Sequence, residues 1–246
     1  RHWCRFCLLI QSFVIIETVL LNLNRPQLSL IKIEDVLILV NIFICIIVSW
    51  FFLKPIILKS KLLNTYIFRF EKIKSNFDIF NSLLKKSKKI QNSPQGLGIF
   101  LQNPNAKYDV LKVCNPYCRP CANAHLVLDK LYEKGIINLR IIFTARNDLS
   151  DAKMLPAAQL MSIESLKNPD LTKDALNFWY KSKVKNSDIL KNEFPETADY
   201  INHRNKIEVM YDWCKKENIN HTPTIFINGK EIPKEYSVKD LTAILL

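Results

Sequence analysis

The sequence predicts an α/β domain with a helical insertion, preceded by two membrane-spanning helices. Three observations carry this expectation. Apolar residues concentrate in the first quarter of the chain, although mean hydropathy over the 246 residues is zero. From Tyr108 onward, short strand-like runs alternate with helical periodicity. Cys118 and Cys121, in "NPYCRPCANAH", stand where the first of those runs gives way to a helix.

The membrane part comes first. Leu8–Leu23, "LLIQSFVIIETVLLNL", is largely apolar, with Gln11, Glu17 and Asn22 as its strongly polar residues. Val36–Leu53, "VLILVNIFICIIVSWFFL", carries only Asn41 and Ser49 as polar residues, and its 18 residues reach roughly 27 Å at about 1.5 Å each, close to a bilayer core. Trp50, Phe51 and Phe52 then form an interfacial belt, and Lys54-Pro55 a stop. Arg25 and Pro26 turn the chain between the two stretches, so Cys4 and Cys7 share a compartment with everything beyond Lys54. The chain starts at Arg1, without an initiator Met, and is read as an N-terminally truncated fragment.

Between Lys54 and Lys89, ten basic residues face only Glu71 and Asp78 within a net charge of +12, the pattern of a solvated or membrane-facing surface. The positive-inside rule would place this run in the cytoplasm, although long translocated domains often escape that rule. Phe70, Ile73, Phe77, Phe80 and Leu84 recur at three and four, predicting one amphipathic helix. The turn residues of "NSPQGLG" (Asn92–Gly98) then mark a boundary. The expected division is a membrane part over 1–58, a basic connector over 59–95 and an α/β domain over 96–246.

In that domain "YDVLKV" is a strand ending at Cys114, Ala122–Tyr132 a helix, and Asn138–Ala145 a second strand. Asp151–Asn218 is mostly helical, with Trp179, Tyr180, Tyr211 and Trp213 as core anchors. "TIFINGKEI" is a hairpin around Asn228-Gly229. The last helix starts at Ser237, with Asp240 completing a capping box. The chain has only 4 glycines and no G-x-G-x-x-G or G-x-x-x-x-G-K pattern, which argues against a nucleotide-binding loop. The aromatics of the basic run are periodic and core-facing rather than displayed for stacking, which argues against nucleic acid.

The cysteines carry the chemistry. A helix N-terminus favours a thiolate at Cys118, with Arg119 adding positive charge, and Pro120 fits the first turn. A CxxC after a strand in a β-α-β pattern reads as a thioredoxin-like redox motif, with Cys118 attacking and Cys121 resolving. Thr222-Pro223 immediately before a strand marks a strand start with a constrained bond of the kind that can be cis. Resemblance to thioredoxin-like folds implies that a cis-proline there faces the pair and shapes a substrate groove. An iron–sulfur cluster on Cys114, Cys118 and Cys121 would need a large barrel, yet 125 residues with two glycines follow Cys121. Zinc on these three and His125 has suitable ligand types. Cys114 and Cys214 read either as two buried free thiols or as a structural disulfide. His125 either packs or tunes the thiols. Cys4 and Cys7 form a second CxxC where water meets lipid, within reach of a lipid-soluble oxidant.

At these residues the chain resembles bacterial vitamin K epoxide reductase homologues fused to a C-terminal thioredoxin-like domain of the DsbA type. "WCRFCLLIQ" resembles the active-site pair opening that family's fourth membrane helix, and Val36–Leu53 its fifth. "NPYCRPCANAH", "TPTIFING" and "YSVKDL" resemble the fused domain. The resemblance implies a thiol-disulfide oxidoreductase in the inner membrane, its thioredoxin-like domain periplasmic. It implies that electrons pass from exported protein thiols to Cys118–Cys121, then through loop cysteines to Cys4–Cys7 and a quinone, with no metal. Thr222 and Pro223 would bind substrate. The alternatives are a reductase or isomerase using the same pair, and a membrane-tethered zinc module without turnover.

Overall fold

A computed structural model describes residues 33–246 together with Ser12, Ile15, Ile16 and Val19. The chain divides into two compact units, Arg1–Ile67 and Phe68–Leu246. Helix α1 (Ile33–Lys74) runs for 42 residues. Within it, Val40–Lys74 is the one helix among the described residues long and apolar enough to cross a membrane, with a mean hydropathy of 2.2 in its apolar window and none of that window buried. The other expected span, Leu8–Leu23, lies outside the described residues except for Ser12, Ile15, Ile16 and Val19, which are helical.

The expected stop at Lys54-Pro55 is corrected, because α1 continues through Pro55 to Lys74. Proline lacks the N–H that would bond four residues back, which removes one rung of the ladder, and the leucines and lysines on either side keep the rest. The single amphipathic helix expected from Phe70 is corrected as well. Asn76 interrupts it, its side chain accepting hydrogen bonds from the N–H groups of Asp78 (2.9 Å) and Ile79 (3.2 Å) to cap a new helix, α2 (Phe77–Lys86). Phe80 and Leu84 are buried under α2, while Phe70 and Ile73 on α1 are exposed.

The second unit is built on a five-stranded sheet in the order β1-β3-β2-β4-β5. The central pair, β2 (Tyr108–Cys114) and β3 (Ile137–Phe143), is parallel and joined by α3 (Arg119–Glu133). Val110, Leu111 and Val113 of β2 and Leu139, Ile141 and Ile142 of β3 bury apolar side chains on both faces, as a covered parallel pair requires, with Lys112 buried among them. Strand β4 (Thr224–Ile227) runs antiparallel to β2 with Val110 opposite Ile227, and β5 (Lys230–Glu231) returns beside it. Asn228 and Gly229, both at positive φ, make the expected two-residue turn. The remaining strand, β1 (Ile99–Leu101), has no period-two signal in three residues and enters antiparallel to β3. Gly98 admits it: φ is +66°, and a Cβ there would be driven into the carbonyl of Ile141.

The helical insertion consists of α4 (Met154–Ser165), α5 (Pro169–Lys181), α6 (Ser187–Glu193), a 3-10 turn (Pro195–His203) and α7 (Arg204–Lys216). Helix α4 is apolar almost all round and nearly fully buried, the centre of the insertion. Trp179, Tyr180 and Trp213 are core anchors as expected. Tyr211 is not: it is half-buried, and its hydroxyl accepts a hydrogen bond from Arg146 Nε at 2.9 Å. The chain closes with a 3-10 turn (Val238–Asp240), capped reciprocally by Ser237 and Asp240, and α8 (Leu241–Leu245).

Candidate active site around Cys118 and Cys121

Strand β2 ends at Cys114, and the next three residues turn the chain into α3. The Asn115 side chain accepts the Tyr117 N–H at 2.9 Å, and its carbonyl accepts the Cys118 N–H at 3.1 Å. This closed turn leaves Cys118 extended (φ −71°, ψ 119°) as the N-cap of α3. Its sulfur takes the capping role of a serine oxygen, accepting the Cys121 N–H at 3.4 Å. Pro120 lies in the first turn, where its missing N–H is no loss. Trp179 holds the turn from behind, donating from Nε1 to Pro116 O at 2.9 Å and meeting Tyr117 edge-on.

The two sulfurs therefore differ in access. Cys118 is half-exposed, whereas Cys121, one turn inside, is fully buried. Burial, then the neighbouring Cys114 and the Cys118 contact, pushes the Cys121 thiol up to about 12. The Thr222-Pro223 peptide bond is cis, and the Thr222 carbonyl lies 3.5 Å from Cys118 Sγ, within reach of its thiol. Two motifs a hundred residues apart in sequence meet at one sulfur.

The other candidates fall in three places. Arg119 is exposed at the start of α3. His125 is buried against the Tyr180 ring, centroids 4.7 Å apart, and burial followed by the charge of Lys112 holds it well below the usual imidazole range, so it contributes no positive charge to the thiols. Cys114 and Cys214 are both buried free thiols, and Cys114 Sγ lies 3.0 Å from the Tyr180 hydroxyl. Cys4 and Cys7 lie outside the described residues. Among the described residues, no group of three or more His, Cys, Asp or Glu is arranged to hold a metal ion.

Sequence reasoning missed Lys112. It is fully buried, and its electrostatic neighbours include Cys114, Cys121 and Cys118. The signal was available: Lys112 stands two residues before Cys114, on the same face of a strand buried on both sides.

A family model described as Thioredoxin matches residues 95–245. Among solved structures, the chain is similar to oxidised BdbD from Bacillus subtilis, with 17% identity and a TM-score of 0.51 over 64% of this chain and 94% of that one. It is similar to ScsC from Proteus mirabilis in a transitional conformation, with 12% identity and a TM-score of 0.50 over 76% of this chain and 93% of that one. The thiol-disulfide exchange protein α-DsbA2 from Wolbachia pipientis shares 14% identity, with a TM-score of 0.49, over 70% and 94% of the two chains. At these identities the likeness concerns the fold. No similar chain is found among the curated proteins.

Proposed function

Since the chain belongs to the thioredoxin family, we propose that it is a thiol-disulfide oxidoreductase acting on exported proteins through Cys118 and Cys121. The observation that carries this reading is the asymmetry of the pair, a half-exposed sulfur capping α3 and a buried one a turn inside, with the cis Thr222-Pro223 carbonyl beside the first.

In the oxidising direction a client thiolate attacks Cys118 Sγ of the Cys118–Cys121 disulfide. The Cys121 sulfur leaves and takes a proton, which its buried setting favours. A second client thiolate attacks the client sulfur of the mixed disulfide, and Cys118 leaves as the thiolate. The client gains a disulfide and the pair gains its two electrons. Replacing Cys121 removes the competing nucleophile, so a Cys121→Ala chain incubated with reduced and oxidised client extracts should accumulate mixed disulfides at Cys118. A Cys121→Ala chain that traps none would refute the reading.

Three finer statements belong to the same proposal. The direction is oxidation, so a titration should place the pair near about −120 mV; a value near about −270 mV would make it a reductase. The helix Val40–Lys74 anchors the chain in the inner membrane, with the thioredoxin-like domain periplasmic and lipid as a partner. Onward transfer to Cys4–Cys7 and a quinone rests on the resemblance to vitamin K epoxide reductase homologues, since both cysteines lie outside the described residues.

A further inference from the structure

Lys112 is a buried amine behind the pair that the exchange steps do not use. It sits inside β2 with no exposure, and its Nζ has no hydrogen-bond partner among the described residues. No ion pair among the described residues involves it. Its Nζ lies 3.9 Å from the centroid of the Tyr180 ring, whose hydroxyl meets Cys114 Sγ at 3.0 Å. The titratable groups facing it are Cys114 on its own strand, Cys118, Cys121 and His125 on α3, Tyr180 on α5, and Lys185 just beyond α5. A buried amine costs far more than a methionine of similar volume would, so packing alone does not account for it.

Resting on the exchange reaction above, we propose that Lys112 is the proton store of the Cys118–Cys121 pair. The amine is neutral while the pair is a disulfide and takes up a proton when the pair is reduced. The reaction then balances without proton release: a client dithiol, the Cys118–Cys121 disulfide and the neutral Lys112 amine become a client disulfide, a Cys118 thiolate, a Cys121 thiol and a Lys112 ammonium. Two electrons move from client sulfurs to the pair, and the client's two protons end on Cys121 and Lys112.

The surroundings suit this switch. Burial lowers the amine from 10.5, while Cys114, Cys121 and Cys118 act the other way. A disulfide carries no charge, which leaves only Cys114 opposing burial in the oxidised protein, and burial raises that thiol too and keeps it from ionising. In the reduced protein a thiolate opposes burial. A carboxylate partner would hold the ammonium in both states and store nothing. The Tyr180 ring instead accommodates a cation through its π face without forcing one. By linkage, protonation of Lys112 stabilises the reduced pair, which favours oxidation of clients.

The test uses the full chain in glutathione buffers across pH, with the Cys118 thiol counted by alkylation and mass spectrometry. Lys112→Met should oxidise glutathione at least tenfold less favourably at neutral pH, about 30 mV for two electrons. It should also lose one proton from the pH dependence of that equilibrium. Equal constants and equal slopes in the two proteins overturn the proposal. Carbon NMR of the lysine Cε in the native chain reads the amine without a variant. Protonated when reduced and neutral when oxidised at one pH is the expected result, and a single state in both overturns the proposal. A native chain that never equilibrates with glutathione removes the exchange reading, and the proton store with it.

Discussion

Cys118 and Cys121 are the same chemical group in different solvents, and their pH behaviour should show it. The Cys121 thiol titrates at about 12 when folded, against 9.0 ordinarily. Its folded-state value is raised, so its contribution to stability is complete below pH 9.0 and is lost as pH rises towards 12. Denaturant titrations of reduced protein should fall more steeply over that range than those of Cys121→Ala. Equal slopes would mean a wetter thiol. Glu217 gives the opposite limb. Burial alone would raise its carboxyl, but donation from Asn92 and Gln91 and the charge of Lys88 outweigh that and hold it below 4.5. Its contribution is present above pH 4.5 and lost as pH falls through the lower folded value, so Glu217→Gln should flatten acid unfolding there. The cysteine pair and Thr222-Pro223 were legible in the sequence because spacing and proline leave marks in it. The surroundings of Lys112 and Tyr180 were not, because they arise where β2, α3 and α5 meet.

The helices and strands divide along similar lines. The βαβ unit, the Asn228-Gly229 hairpin and the helical insertion could be read directly, each being long or bearing its own turn chemistry. Strand β1 could not, since three residues show no period, and α1 outran its stop because one proline removes only one rung. The break at Asn76 was hidden inside a regular apolar repeat, where a capping side chain overrode the period. Asn76→Ala should therefore cost about 1 kcal/mol, read as a lowered unfolding midpoint; an unchanged midpoint would show that packing of Phe80 and Leu84 alone starts α2. Gly96 and Gly98 make a matched pair, at φ +75° and +66°. Alanine at Gly96 meets nothing within 4 Å and should cost about 1–2 kcal/mol for the left-handed backbone. Alanine at Gly98 meets the Ile141 carbonyl and should cost distinctly more, as thermal unfolding of the two variants would show.

Considered together, the two units make opposite demands on solvent. The second carries the sheet and a buried core, and a chain of residues 68–246 should stay in solution and keep its cysteine reactivity. The full chain, with its exposed apolar helix, should require detergent and resist extraction by high salt. Recovery of both in the same aqueous fraction would count against membrane anchoring. The edges of the sheet have a further consequence. Residues before β1 lie along β5: the Ile90 N–H donates to Gly229 O, the Glu231 N–H donates to Lys88 O, and Lys89 bridges to Lys230. The short outer strand is thus covered by the chain's own backbone, flanked by lysines, and the opposite edge offers only the three residues of β1. Sheets aggregate by adding strands at open edges. This one leaves that route little more than the three residues of β1, so an extended chain meeting the molecule finds little backbone on which to grow.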